Sequence, residues 1–502
     1  MNTRSNSAYT ELEGRAKRVA ALGDGLSILM WDQEVMMPDG ANAGRALQMA
    51  TLAKLIHDLE TEPEWAALLD AAEGEPLDEW QQANIRELRH QFAHATSLPS
   101  HLVEPMQHAR AECAHTWRKA RHANDWDAVE PKLEKLLEFA REAAKAKSDG
   151  LGLPLYDALL DEYDPGRASK QIDTLFGELA RELPPLLEET VARQAAQPAI
   201  VHLDGDFSTE RQRRLGEEVM RVLLFDFHQG RFDVSAHPFS GGATGDRRIT
   251  TRYDESDFTK ALMGTVHETG HAQYESGLPQ DWAYQPVGRS RGMTLHESQS
   301  LLFEMQAGRS SEFIEFLAPL ARAELAGEGD GWSTENLIRI YQRVERSLIR
   351  VDADEVTYPL HVMLRYRIEK ALIEGDLEVS DLPAAWNAAM EDLIGIVPPS
   401  DTDGVMQDVH WYEGIFGYFP TYTLGAMTAA QIFAALKRDI PNVLEMIGRG
   451  DWTPLIGWLR ENVHGQGCRF TPDGLIESAT GAPLSAQPFL SHLRSRYLPE
   501  AA

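Results

Sequence analysis

The stretch VEPKLEKLLEFAREAAKAK, residues 129–147, sets the texture of most of the chain. Val129, Leu133, Leu136, Leu137 and Ala140 recur at spacings of three and four, so they share one face of an α-helix and leave the charges to the other. ELEGRAKRVAALGDGLSILMWDQEV, residues 11–35, has the same period. Turn formers gather between such segments, at Met37-Pro38-Asp39-Gly40, Gly150-Leu151-Gly152 and Asp164-Pro165-Gly166. Residues 8 to about 195 therefore read as a succession of helices. Within them ILMWDQEVMM, residues 28–37, reads as a buried helix end lining the core.

The texture changes near residue 199. AIVHLDGDF (199–207), FDVSAHPF (232–239) and RRITTRY (247–253) are short, rich in β-branched and aromatic residues, and separated by Gly-rich turns such as Ser240-Gly241-Gly242. They predict two or three strands of one small sheet. From residue 256 the helical texture returns and lasts almost to the end. The expected fold is mainly α. No repeat, low-complexity tract or linker interrupts it, which predicts one unit over 1–502: an N-terminal helical region (1–198), the sheet (199–255) and a second helical region (256–502).

Composition narrows the function. Against 48 Lys and Arg stand 78 Asp and Glu, a formal charge of −30 over 502 residues. Such a surface repels phosphate backbones and acidic lipids, so neither nucleic acid nor membrane is an expected partner. No apolar run approaches the roughly 18 residues that span a bilayer, and MNTRSNSAYTELEGRAKR lacks the apolar centre of a secretion signal. The expectation is a cytoplasmic protein. Cys113 and Cys468 stand far apart, which argues against a disulfide framework and against thiolate zinc ligation.

The chemistry lies at His267-Glu268-Thr269-Gly270-His271, an H-E-x-x-H motif. On a helix, residues four apart face the same way, so both imidazoles reach one ion. Zn²⁺ accepts such nitrogens and needs one further protein ligand, leaving a position for water. Glu268 can take that water's proton as it attacks a carbonyl. Phe258, Leu262 and Val266 form a helical stripe ahead of the motif, and Gly277 can end the helix. No third His follows closely. A carboxylate from the next helical segment, LHESQSLLFEM, is the alternative; Glu297 suits the turn and return, with Glu304 as a nearby competitor.

The motifs taken together resemble the carboxypeptidase Taq family of metallocarboxypeptidases along nearly the whole chain. His237-Pro238-Phe239 matches that family's HPF motif, and Asp246-Arg247-Arg248-Ile249-Thr250 matches D-x-R-x-T. His267–His271 is its zinc motif and His296-Glu297-Ser298 its HES motif. Ile349-Arg350-Val351-Asp352-Ala353-Asp354 fits I-R-x-x-A-D, and Gly417-Tyr418-Phe419-Pro420-Thr421-Tyr422 fits G-Y-x-x-T-Y.

The resemblance implies a two-lobed helical clam-shell around a deep groove, with the small sheet beside the active site. It also implies a homodimer that acts on short peptides with a free C-terminus. His267, His271 and Glu297 would hold one Zn²⁺, with Co²⁺ or Mn²⁺ as substitutes, and Glu268 would be the base. A free carboxylate suits a guanidinium, which makes Arg350 the first candidate anchor and Arg248 the second. Asp246, Arg248 and Thr250 would share a strand face, where they equally suit a structural network. Tyr422 is the expected donor to the developing oxyanion, with His237 and Tyr418 as further catalytic or substrate contacts. Asp354 or Asp352 would orient a ligand imidazole. Pro359 should kink its helix, and Tyr412 adds bulk ahead of the G-Y-x-x-T-Y motif. A zinc oligopeptidase of similar fold is the nearer alternative. An inert helical scaffold is the other, and Glu268 argues against it because a structural site needs no base.

Overall fold

A computed structural model of the chain describes residues 7–499. Among these residues lie twenty α-helices and one three-stranded sheet. The expected breaks occur where turn chemistry demands them. The first helix, Ala8–Val35, stops before Pro38, and Trp126–Leu151 ends on Gly152, whose φ of 69° is the left-handed conformation glycine adopts without strain.

Among the described residues three apolar clusters form, the smallest being Met220, Phe225, Phe232, Ile249 and Ala272 between the sheet and the motif helix; the other two differ greatly in size. Tyr9, Leu12, Trp65, Leu69, Ile85 and Leu88 make a small one between the first helix, Glu64–Glu73 and Glu79–Ser97. The other runs from Ala109 to Tyr497 and encloses the motif region.

The sheet consists of β1 (Gly230–Val234), β2 (Ser240–Ala243) and β3 (Asp246–Thr251), in the order β1-β3-β2. β1 is parallel to β3, and β2 antiparallel to it, with Phe232 and Ser240 both level with Ile249. Arg247 ties β3 to the motif helix by donating to the Glu275 carbonyl at 2.7 Å. That bond, together with Phe232 and Ile249 packed in one apolar cluster with Ala272, sets the sheet beside the motif helix.

Several expectations fail for identifiable reasons. AIVHLDGDF is not a strand: the Asn336 side chain accepts from Val201 N–H and donates to its carbonyl, so those backbone groups need no neighbouring strand. A single bridge, Asp204 with Glu328, is the β pairing there. The third strand is SGGA instead, in a segment that reads as turn. Gly242 (φ 115°) lies so close to Asp246 that any Cβ would fall 2.1 Å from its carbonyl oxygen. The 199–255 segment also contains a helix, Thr209–Val222. ILMWDQEVMM does not line the core, since Met30 and Met36 are 52% and 58% exposed. Its one deeply buried side chain, Trp31, lies under the guanidinium groups of Arg231 and Arg248. Pro359 does not kink a helix; it occupies the first turn of Tyr358–Glu374, where its missing N–H costs nothing. Tyr412 is core, stacked on Trp117 and donating to the Val405 carbonyl.

Candidate metal centre

The motif helix, Phe258–Gly277, starts at Asp257, whose carboxylate accepts from Thr259 N–H at 2.9 Å, and ends at Gly277 as expected. Phe258, Leu262 and Val266 are buried and fix its rotation. The next helix, Gly292–Leu301, carries Glu297 and continues as a π-helical turn over Leu302–Gly308 that carries Glu304.

Glu297 Oε2 stands 3.6 Å from His271 Nε2 and 3.9 Å from His267 Nε2, and one ligand atom from each of the three residues falls within 4.8 Å of the others. Ligand atoms around tetrahedral zinc stand roughly 3.3–3.5 Å apart. The trio is therefore spaced for an ion between its members, too wide for direct hydrogen bonds, and its donor set suits a divalent metal. Glu304 Oε2 holds His267 Nδ1 at 2.9 Å, and Arg309 holds the other Glu304 oxygen at 2.6 Å. Glu304 thus fixes the orientation of the His267 imidazole. Asp354 and Asp352 do not: Asp354 accepts from the backbone N–H groups of Glu345, Val356 and Thr357, and Asp352 pairs with Lys260. Spacing could have revealed Glu304, since residues seven apart on a helix face the same way.

Two glycines let the helices approach closely. A Cβ on Gly270, inside the motif, would fall 2.7 Å from both the Gln299 carbonyl oxygen and Ser300 Cα. A Cβ on Gly425, in the helix Pro420–Asp439, would fall 2.9 Å from Cβ and Cγ of Glu297 itself. The helix that carries Glu297 is gripped from both sides. Glu268 is buried beside this contact, and its Oε2 has no hydrogen-bond partner among the described residues. Burial pushes its carboxyl up to about 7 against the opposing charge of His267. A carboxylate held this way is ready to take a proton.

Comparison with known proteins agrees with that geometry. Residues 11–497 match the family model described as carboxypeptidase Taq (M32) metallopeptidase. The chain belongs to the carboxypeptidase Taq (M32) family. It is 39% identical to thermostable carboxypeptidase 1 of Thermus thermophilus, with 98% of each chain covered. It is 33% identical to carboxypeptidase 1 of Bacillus subtilis, with 96% of each covered. Its fold superposes on Trypanosoma cruzi metallocarboxypeptidase 1 with a TM-score of 0.96 at 38% identity, covering 98% of this chain and 100% of the other. As an M32 protein the chain is a metallocarboxypeptidase, a peptide hydrolase that depends on a divalent metal.

The other M32 motifs do different things. Arg350 is buried; Asp408 accepts from its Nε and Nη2, and its guanidinium lies 4.8 Å over the Tyr422 ring. Nη1 has no hydrogen-bond partner among the described residues. Asp408 also accepts from Arg365 Nε at 2.6 Å, so two buried cations share one carboxylate and the cluster keeps an excess of positive charge. Tyr422 places its hydroxyl 3.2 Å from His410 Nε2, and Tyr418 meets the Tyr422 ring edge-on. Burial lowers His410 to about 4, which leaves it neutral near pH 7. Sequence reasoning missed Asp408 and His410 because neither sits in a motif.

Arg248 grips Asp246 through Nε and Nη2 and stacks on Trp31. Thr250 Oγ1 accepts from Phe239 N–H and shares a hydrogen bond with Ser235. Within D-x-R-x-T, Thr250 braces the HPF turn while Arg248 and Asp246 pair with each other. His237 is exposed on that turn, its carbonyl accepting from Ser235.

Proposed function

We propose that this chain removes single residues from the C-terminus of peptides, with one Zn²⁺ held by His267, His271 and Glu297. The observation that carries the reading is the buried Glu268 carboxylate, its Oε2 without a hydrogen-bond partner among the described residues, on the same motif as two of three ligand atoms spaced for an ion. A bound Zn²⁺ would supply a Lewis acid that polarises the scissile carbonyl and acidifies the attacking water. Glu268 takes the water's proton and passes it to the leaving amine. Tyr422, supported by His410, donates to the carbonyl oxygen as negative charge builds there, a contribution of about 3 kcal/mol in comparable sites. His237 is the weaker donor, and Tyr418 a wall for the substrate.

Arg350 receives the terminal carboxylate through Nη1 and the remaining N–H of Nη2, while Asp408 fixes the opposite edge of its guanidinium. Arg248, already paired with Asp246, is the second choice. The chain works as one catalytic unit, as a homodimer in the cytoplasm. Two buried free cysteines are consistent with a reducing compartment, and Co²⁺ or Mn²⁺ would fit the same donors.

Glu268→Gln keeps the side-chain shape and removes the base. Metal content should stay at the wild-type level while turnover falls at least about 100-fold. Hydrolysis near the wild-type rate would assign the base to another residue.

A further inference from the structure

A second group of ligand-type side chains lies away from the motif helix. His90 and His94 stand four apart on the helix Glu79–Ser97, the spacing of the catalytic pair. Both place Nε2 on the same oxygen of Asp161, at 2.7 Å and 2.8 Å. One ligand atom from each residue lies within 4.8 Å of the others. The second Asp161 oxygen accepts from Gly166 N–H at 2.6 Å, which fixes the carboxylate's orientation. His94 and Asp161 are largely covered, and His90 is partly open to a cavity of about 550 Å³ that Glu60, Glu162 and His57 also line. Two of the cations lining that cavity are already paired, Arg291 with Glu87 and Lys147 with Glu162.

We propose that His90, His94 and Asp161 form a second divalent-metal site, separate from the catalytic one and open to water through the cavity. Two imidazoles and one carboxylate suit Zn²⁺, Co²⁺ or a similar borderline ion, with the remaining positions taken by water. The present hydrogen-bonded spacings of 2.7 Å and 2.8 Å would widen by roughly 0.5–0.8 Å to form a coordination sphere.

The site's place in the fold gives it a role. Asp161 opens the turn that ends at Gly166. Within that turn the Tyr163 carbonyl accepts from Met293 N–H at 2.7 Å, and Asp164 accepts from Thr294 Oγ1 at 2.9 Å. Met293 and Thr294 lie in the first turn of the helix that carries Glu297. An ion here would clip the helix Glu79–Ser97 to the seat of the catalytic ligand helix. It would be structural, and it would act on catalysis only through position.

Equilibrium dialysis against micromolar Co²⁺, with bound metal counted by native mass spectrometry, tests this directly. The wild type should bind two ions per chain and Glu297→Ala one. His94→Gln should also bind one ion while retaining peptidase activity, and Glu297→Ala combined with His94→Gln should bind none. Asp161→Asn and His90→Gln, made separately, guard against a single misfolded variant, and each should lose one ion. One ion in the wild type, with none in Glu297→Ala, would overturn the second site and leave the catalytic assignment intact. Two ions retained in all three cluster variants would overturn it as well.

Discussion

The helices Asn42–Glu60 and Phe258–Gly277 are nearly the same length, 19 and 20 residues, yet the first has no buried residue and the second has thirteen. Asn42–Glu60 packs along the first helix with Leu47 70% exposed and Leu55 also outward. Phe258–Gly277 is enclosed by β3, the ligand helix and Thr209–Val222. Backbone hydrogen bonds build both. What separates them is the cost of change. In the motif helix every buried polar side chain must find a partner or a purpose, because water cannot reach it. On the outer helix a side chain can be altered with little consequence. Catalytic groups need the first environment, where burial strengthens electrostatics and packing holds geometry.

The largest expected contrast comes from the charges buried in the dense region. Arg350→Ala should cost roughly 2–4 kcal/mol in kcat/KM on a free-acid peptide and much less on its C-terminal amide. Lys at 350 should rescue only partially, since an ammonium lacks the forked geometry. Equal losses on both substrates would make Arg350 structural. Such losses would move the anchor to Arg248 and return the oligopeptidase reading to the front.

Gly425→Ala is the next test. Its Cβ would meet Glu297 2.9 Å away, so the ligand or the helix must move. We expect a loss of about 1–3 kcal/mol in stability, together with weaker metal binding. Wild-type thermal stability and metal affinity in this variant would show that the two helices are less tightly engaged than they look.

Leu47→Lys gives the smallest effect. Stability should change by no more than about 0.5 kcal/mol, with hydrolysis unchanged. A loss as large as that of Gly425→Ala would mean that another surface covers this helix, and the partner of the proposed homodimer would be the first suspect.

The same contrast explains what was legible in the sequence. Helical period and the H-E-x-x-H spacing are local signals, and both read through to the structure. Glu297 was singled out by its place on the helical segment after the motif and by its match to the HES motif, and the structure brings it within 3.6 Å of His271. The failures involve groups satisfied by distant segments of the chain. The backbone at Val201 is satisfied by Asn336, and Trp31 is covered by arginines of the sheet. Asp408 pairs with Arg350 and Arg365 across the fold. Gly270 reads as a variable position in the motif, although the space beside it is already filled by Gln299 and Ser300. No local pattern carries such information, because the partner's position is a property of the packed chain.

The central claim is that Glu297 completes the catalytic metal site while Glu304, seven residues on, orients His267 from behind. Metal titration of Glu297→Ala and Glu304→Ala, each set against wild type, tests it most directly. The account predicts that Glu297→Ala loses one full equivalent, and that Glu304→Ala keeps the ion with affinity weakened about 10–100-fold. Full occupancy in Glu297→Ala, with the equivalent lost in Glu304→Ala instead, would contradict it.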